Sequence, residues 1–149
     1  MKSSSCAYKP SETQIQQAIV EWASHKEYER RYEDDYRANF VGDFLIAIPN
    51  GGWRNKKEAS RLKREGVKKG VSDLFLAIPI ARLNKRGVIY TESGFWLEIK
   101  TSKGRMSKEQ ERWKILMNSR GYRVACIRSV DEGILIIEDY LGIKKDGKV

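Results

Sequence analysis

An α/β domain built on one mixed sheet is the fold this sequence predicts, and three observations predict it. Apolar residues recur at helical spacing in separate segments. Short β-branched and aromatic runs bounded by turn residues lie between those segments. The two kinds of segment alternate along the chain instead of falling into blocks. With 149 residues, 40% of them hydrophobic, the chain suits one domain able to bury a core. The expected organisation is a disordered tail over 1–10, the domain over 11–143 and a charged tail over 144–149.

The first helix begins after Ser11. Ser11 and Gln14 match a capping box, and Ile15, Ala18, Ile19, Trp22 and Ala23 form one apolar stripe, with Glu12 in the first turn. HKEYERRYEDD follows, with five acidic against three basic residues, and reads as surface. FLIAI over 44–48 predicts a buried strand closed by the turn signal Pro49, Asn50, Gly51, Gly52. KKEASRLKRE predicts a basic helix stopped by Gly66. DLFLAIPI over 73–80 reads as a second strand, NKRG as a turn with VIY continuing beyond it, and FWLEIK over 95–100 as a third strand. Ser107 and Gln110 form another capping box, opening a helix with Trp113, Leu116 and Met117 inward and Gly121 at its end. YRVACIR is a fourth strand, and 130–141 a helix with Ile134, Ile137 and Leu141 inward.

Charge narrows the class of partner. Twenty-nine Lys and Arg against 20 Asp and Glu give a net +9 and a pI of about 9.6, which favours a polyanion, nucleic acid above all. Between Trp53 and Gly70 eight basic residues face only Glu58 and Glu65. Arg54, Lys56, Lys57, Arg61, Lys63, Arg64, Lys68 and Lys69 are therefore candidate phosphate contacts. Cys6 and Cys126 are far apart and read as free thiols, and with the single His25 they cannot assemble an ordinary zinc site. No run approaches ~18 consecutive apolar residues, so no membrane partner is expected.

One strand carries the chemistry. In FWLEIK, Glu98 and Lys100 share one face while Leu97 and Ile99 take the other. Such a pair is either a solvated ion pair, worth little, or a working one, and spacing alone leaves both open. Phosphodiester hydrolysis with Mg²⁺ or Mn²⁺ needs one or two carboxylates as hard oxygen ligands and a group that handles the attacking water. Asp73 at the start of the second strand can converge with Glu98 if the two strands pair as the ends of a hairpin.

The segments IPNGGWRN, KGVSDLFLAI, WLEIKTSKGRMSKEQERW and GYRVACIRS resemble the VRR-Nuc branch of the PD-(D/E)xK nuclease superfamily, over about residues 11 to 130. The ordered set GVSD, ExK and SxxQ, followed by the Gly-Tyr-Arg-Val strand, is its most specific part. Ser72 departs from the pattern, standing where the superfamily often has proline, a change expected to leave the Asp73 carboxylate available. The resemblance implies a restriction-endonuclease-like α/β fold, a central mixed sheet flanked by helices. It implies that Asp73, Glu98 and the backbone carbonyl of Ile99 ligate Mg²⁺ or Mn²⁺, with Glu12 as a further metal or water ligand. Lys100 would position the water or the phosphate, and Gln110 would act beside it. Gln110 also belongs to the capping box, and the two duties are expected to compete. Asn50 matches an Asn-Gly segment on the active-site side.

The expected activity is a metal-dependent DNA endonuclease; the resemblance further implies a homodimer acting on branched DNA such as four-way junctions, in the cytoplasm of a bacterial cell or phage-infected host. A nuclease without shape preference and a non-catalytic DNA-binding protein are the alternatives. Candidate dimer seams are Tyr28, Tyr32, Tyr36 and the terminal helix.

Overall fold

A computed structural model describes residues 9–28, 39–49 and 56–143. Cys6, Tyr32, Tyr36, Asn50, Trp53, Arg54 and the 144–149 tail lie outside the described residues, as does nearly all of the N-terminal tail.

Helix α1 (Glu12–His25) starts as its capping box dictates: Ser11 Oγ accepts from the Gln14 N–H at 3.2 Å, and Gln14 Oε1 accepts from the Ser11 N–H at 2.9 Å. A short pair, β1 (Glu27–Tyr28) with β2 (Asn39–Phe40), leads into β3 (Leu45–Ala47). Basic helix α2 (Lys56–Arg64) follows, then β4 (Leu74–Leu76), β5 (Ile80–Leu83), β6 (Ile89–Glu92) and β7 (Phe95–Ile99). Helix α3 (Lys108–Asn118), β8 (Arg123–Ile127) and α4 (Val130–Leu141) complete the domain. The main sheet runs β3-β4-β7-β8, with the first two pairings antiparallel and β7 parallel to β8. That is the mixed α/β sheet the alternation predicts.

Three expectations need correction. The run 73–80 is not one strand: Pro79 has no N–H to give a ladder, and the chain breaks between β4 and β5. Strands β5 and β6 pair as a separate two-stranded ear, with the register slipping by one residue between Leu74↔Leu97 and Ile80↔Glu92. The strand at 44–48 is an edge strand, not a buried one, and Ile46 is 48% exposed because nothing among the described residues pairs beyond it. Leu116 also turns outward, since the face of α3 that meets the sheet follows Gln110, Trp113 and Met117.

The sheet's two faces differ in kind. Leu74, Leu76, Phe95, Leu97, Ile99 and Ile127 face α1 and α4, packing with Ile15, Ile19, Ala23, Ile137 and Tyr140 into the core. Tyr140 is held firmly there. Its hydroxyl donates to the Ile78 carbonyl at 2.6 Å, and Arg82 and Arg123 stand 5.5 and 5.4 Å from its ring centre while both pair with Glu92. The other face carries Phe75, Trp96 and Glu98 and is roofed by α3.

Candidate active site

Because β4 and β7 are antiparallel with Leu74 opposite Leu97, continuing the register by one residue sets Asp73 opposite Glu98. The hairpin therefore brings the two carboxylates together as expected. Asp73 Oδ2 accepts the backbone N–H of Ile99 at 2.8 Å, which ties the start of β4 to the end of β7. One carboxylate oxygen of Asp73 is thus engaged, and Ser72 beside it is buried. Asp73 has its pKa raised by burial, against the lowering pull of the Ile99 hydrogen bond and Lys100.

Glu98 decides between a solvated pair and a working one, because it is completely buried, 0% exposed. Its Oε1 accepts from Lys100 Nζ at 2.6 Å and from Gln110 Nε2. Its Oε2 is buried too and has no hydrogen-bond partner among the described residues. Burial pushes the carboxyl up to about 7, reinforced by the charge of Asp73 and opposed by the Lys100 hydrogen bond. Burial works most strongly against the Lys100 ammonium, yet the hydrogen bond to Glu98 together with the charges of Glu98, Glu12 and Asp73 outweighs it and leaves its pKa raised.

The two duties of Gln110 do not compete. Its Oε1 accepts the Ser107 N–H at 2.8 Å, its own N–H donates to Ser107 Oγ at 3.2 Å, and the opposite end of the same amide reaches Glu98. An amide offers an acceptor and two donors, so one side chain caps α3 and orients the carboxylate. A second rung holds the helix in place: Trp113, three residues along α3, meets Trp96, two residues back on β7, edge to face at 5.4 Å. Glu12 arrives from α1, its Oε1 accepting the Thr101 N–H at 3.2 Å, next to Lys100.

The donor set suits a hard divalent cation. Glu98 Oε2 is a buried acceptor with nothing to accept, and Asp73 stands beside it. Among the described residues no group of three or more His, Cys, Asp and Glu side chains stands together as a ligand cluster. The available set is thus two carboxylates plus backbone and solvent oxygens, as Mg²⁺ commonly takes.

Of the basic run, Arg61, Lys63, Arg64, Lys68 and Lys69 are exposed. Arg61 is engaged with Glu65 at 3.5 Å. The side chains of Lys56 and Lys57 lie outside the described residues. Two features escaped the sequence reading. Cys126 is the register partner of Glu98 on β8, a placement no local pattern reveals. Gly70, at φ +81°, rests on the first turn of α3, where a Cβ would fall 2.5 Å from the Glu109 carbonyl group. The segment that carries Lys68 and Lys69 is thereby braced against the helix that carries Gln110.

A comparison of two glycines tests this brace. Gly66, at φ +92°, has open space where a Cβ would go. Gly66→Ala should cost only the left-handed strain, about 1 kcal/mol. Gly70→Ala should cost clearly more than that, because the Glu109 and Gln110 backbone must give way and Gln110 is drawn from Glu98. Thermal melts of the two variants check it; equal losses would mean that Gly70 braces nothing.

The sequence profile of the VRR-NUC domain matches residues 10–131. A solved structure described as a VRR_NUC domain protein superposes with a TM-score of 0.66 at 20% identity, covering 93% of each chain. No curated protein sequence matches this chain.

Proposed function

Since the chain belongs to the VRR-NUC domain family of nucleases, we propose that it is a divalent-metal-dependent DNA endonuclease working through Asp73, Glu98 and Lys100. The observation that supports this reading most is the buried Glu98 with one unpaired oxygen beside Asp73. Burying a carboxylate without full pairing is costly, and a protein that only binds DNA has no use for it. Asp73, Glu98 and the Ile99 carbonyl would hold Mg²⁺ or Mn²⁺, with Glu12 holding a water of the ion from the α1 side. When bound, the ion supplies Lewis acidity toward the phosphate and lowers the pKa of an attacking water.

The chain's own groups do the rest. Lys100, fixed at the Glu98 carboxylate, places a positive charge where the phosphate gathers negative charge in the transition state. Gln110 holds Glu98 in one orientation, and the Asp73 contact to the Ile99 amide keeps the two carboxylates at fixed separation. Arg61, Lys63, Arg64, Lys68 and Lys69, with Asn50, Arg54, Lys56 and Lys57, bind the backbone without reading sequence. Lys100→Ala should lower kcat about 10²-fold or more with a much smaller change in DNA affinity. A pure affinity loss with normal turnover, read in single-turnover kinetics, would move Lys100 to the phosphate contacts.

The reading extends to a two-fold homodimer that makes paired cuts in branched duplexes such as four-way junctions, because each chain carries one Asp73, Glu98 and Lys100 set. What supports pairing is exposed apolar surface on the β5–β6 ear, where Leu83 and Ile89 are each 70% exposed. Tyr28, one of the seams read from sequence, instead packs against the core. The cytoplasm of a bacterial cell or phage-infected host is the compartment that goes with this activity; among the described residues no helix is long and apolar enough to cross a membrane. The experiment is cleavage of labelled linear, flap and four-way DNA beside light scattering of the wild type and of Leu83→Glu/Ile89→Glu. A dimer that cuts four-way DNA in pairs, and a variant that is monomeric and only nicks, are expected. A wild-type monomer cutting all three substrates alike would leave a nuclease without shape preference.

A further inference from the structure

Strand β4 starts and β7 ends at the same end of the sheet, so the segments 65–73 and 100–107 emerge side by side, although the 26 residues 74–99 separate them in sequence. The first carries Lys68 and Lys69. The second carries Lys103 and Arg105, which form no basic run because each is flanked by uncharged residues.

Both segments are braced against the site. In the second, the Gly104 N–H donates to the Thr101 carbonyl at 2.9 Å, and a Cβ on Gly104 would fall 3.2 Å from Lys100 Cβ. The turn is thus folded onto the stem of Lys100. In the first, Gly70 rests on the backbone of Glu109 and Gln110. Lys100 and Gln110 are the two donors to the same oxygen of Glu98. Each basic segment is therefore one residue removed from that carboxylate, one on its Lys100 side and one on its Gln110 side. Lys103 and Arg105 are exposed, and neither forms a salt bridge among the described residues.

Building on the nuclease reading, we propose that the 101–105 turn is a second phosphate-binding element. In it Lys103 and Arg105 hold DNA-backbone phosphates on one side of the scissile phosphate while Lys68 and Lys69 hold those on the other. A strand gripped on both sides is pinned over Asp73 and Glu98, which neither segment alone achieves. Exposed ammonium and guanidinium groups that read charge, not sequence, are the chemistry this surface offers.

The test is DNA binding by the full chain on linear duplex in chelator, as a function of salt. Each lost phosphate contact lowers the slope of log K against log salt by about 0.9. Lys103→Ala/Arg105→Ala should lose about 1–2 units of slope with unchanged melting temperature, and its KM for cleavage should rise more than its kcat falls. Lys103→Arg/Arg105→Lys should keep the wild-type slope. Lys85→Ala/Arg86→Ala removes the same charge from the tip of the β5–β6 ear, at the other end of the sheet, and should alter the slope far less. The proposal is overturned if the 103/105 and 85/86 variants share one slope while the wild type binds and cuts, an outcome that leaves the nuclease itself standing. A wild type that neither binds nor cuts DNA overturns both.

Discussion

Glu98→Gln and Asp73→Asn should each reduce DNA cleavage by 10³-fold or more while leaving fold and DNA affinity close to wild type. The expected loss is large because these carboxylates are proposed to hold the ion that stabilises charge gathering on the phosphate, a contribution of several kcal/mol at the transition state and little in the ground state. Both substitutions keep size and shape, so the packing beneath α3 survives. In Glu98→Gln the Lys100 and Gln110 donors retain an amide oxygen to bond. In Asp73→Asn an oxygen remains for the Ile99 N–H. Retained binding separates this outcome from simple unfolding. If either variant cut at near the wild-type rate, the carboxylate pair would not be the active site.

The second large effect is on stability. Glu98 has an ordinary pKa of 4.5 and is pushed up to about 7 in the fold, chiefly by burial. Between those values the unfolded chain releases the proton and the folded chain keeps it. Unfolding is therefore favoured progressively as pH rises, and the loss is complete above about pH 7. At about 1.4 kcal/mol per pH unit, the metal-free protein should be about 2–3 kcal/mol less stable at pH 8 than at pH 5 on account of Glu98. Asp73, also raised, acts in the same direction. Denaturant unfolding in chelator should show this fall in the wild type and a much flatter profile in Glu98→Gln, where nothing titrates. Mg²⁺ at pH 8 should restore stability to the wild type and not to the variant. Parallel profiles for the two proteins would mean that burial does not hold the Glu98 proton.

Local chemistry made much of this legible. Ser11 with Gln14 and Ser107 with Gln110 are short-range patterns whose hydrogen bonds lie within one helical turn, and both boxes form. The alternation in FWLEIK correctly set Glu98 and Lys100 on one face. Its limit was the meaning of that face. Alternation suggests a wet side, but Trp96 and Trp113 dock α3 over it, a contact between residues 17 apart that no window of the sequence contains. The same docking lets Gln110 serve Glu98 as well as its cap. Long-range partners also decide what no local pattern shows. Ile46 is exposed because β3 is the edge of the sheet, and Tyr140 is buried because Arg82, Glu92 and Arg123 from distant strands converge on it.

The most direct measurement is metal add-back on the wild-type protein. Chelated protein is mixed with labelled duplex and four-way DNA, and strand scission is followed before and after Mg²⁺ or Mn²⁺ is supplied. No cutting in chelator is expected, with phosphodiester cleavage on addition of either ion and none with Glu98→Gln under the same conditions. Undiminished cutting in chelator, or intact DNA of every form with both ions present, would contradict the metal-dependent nuclease reading.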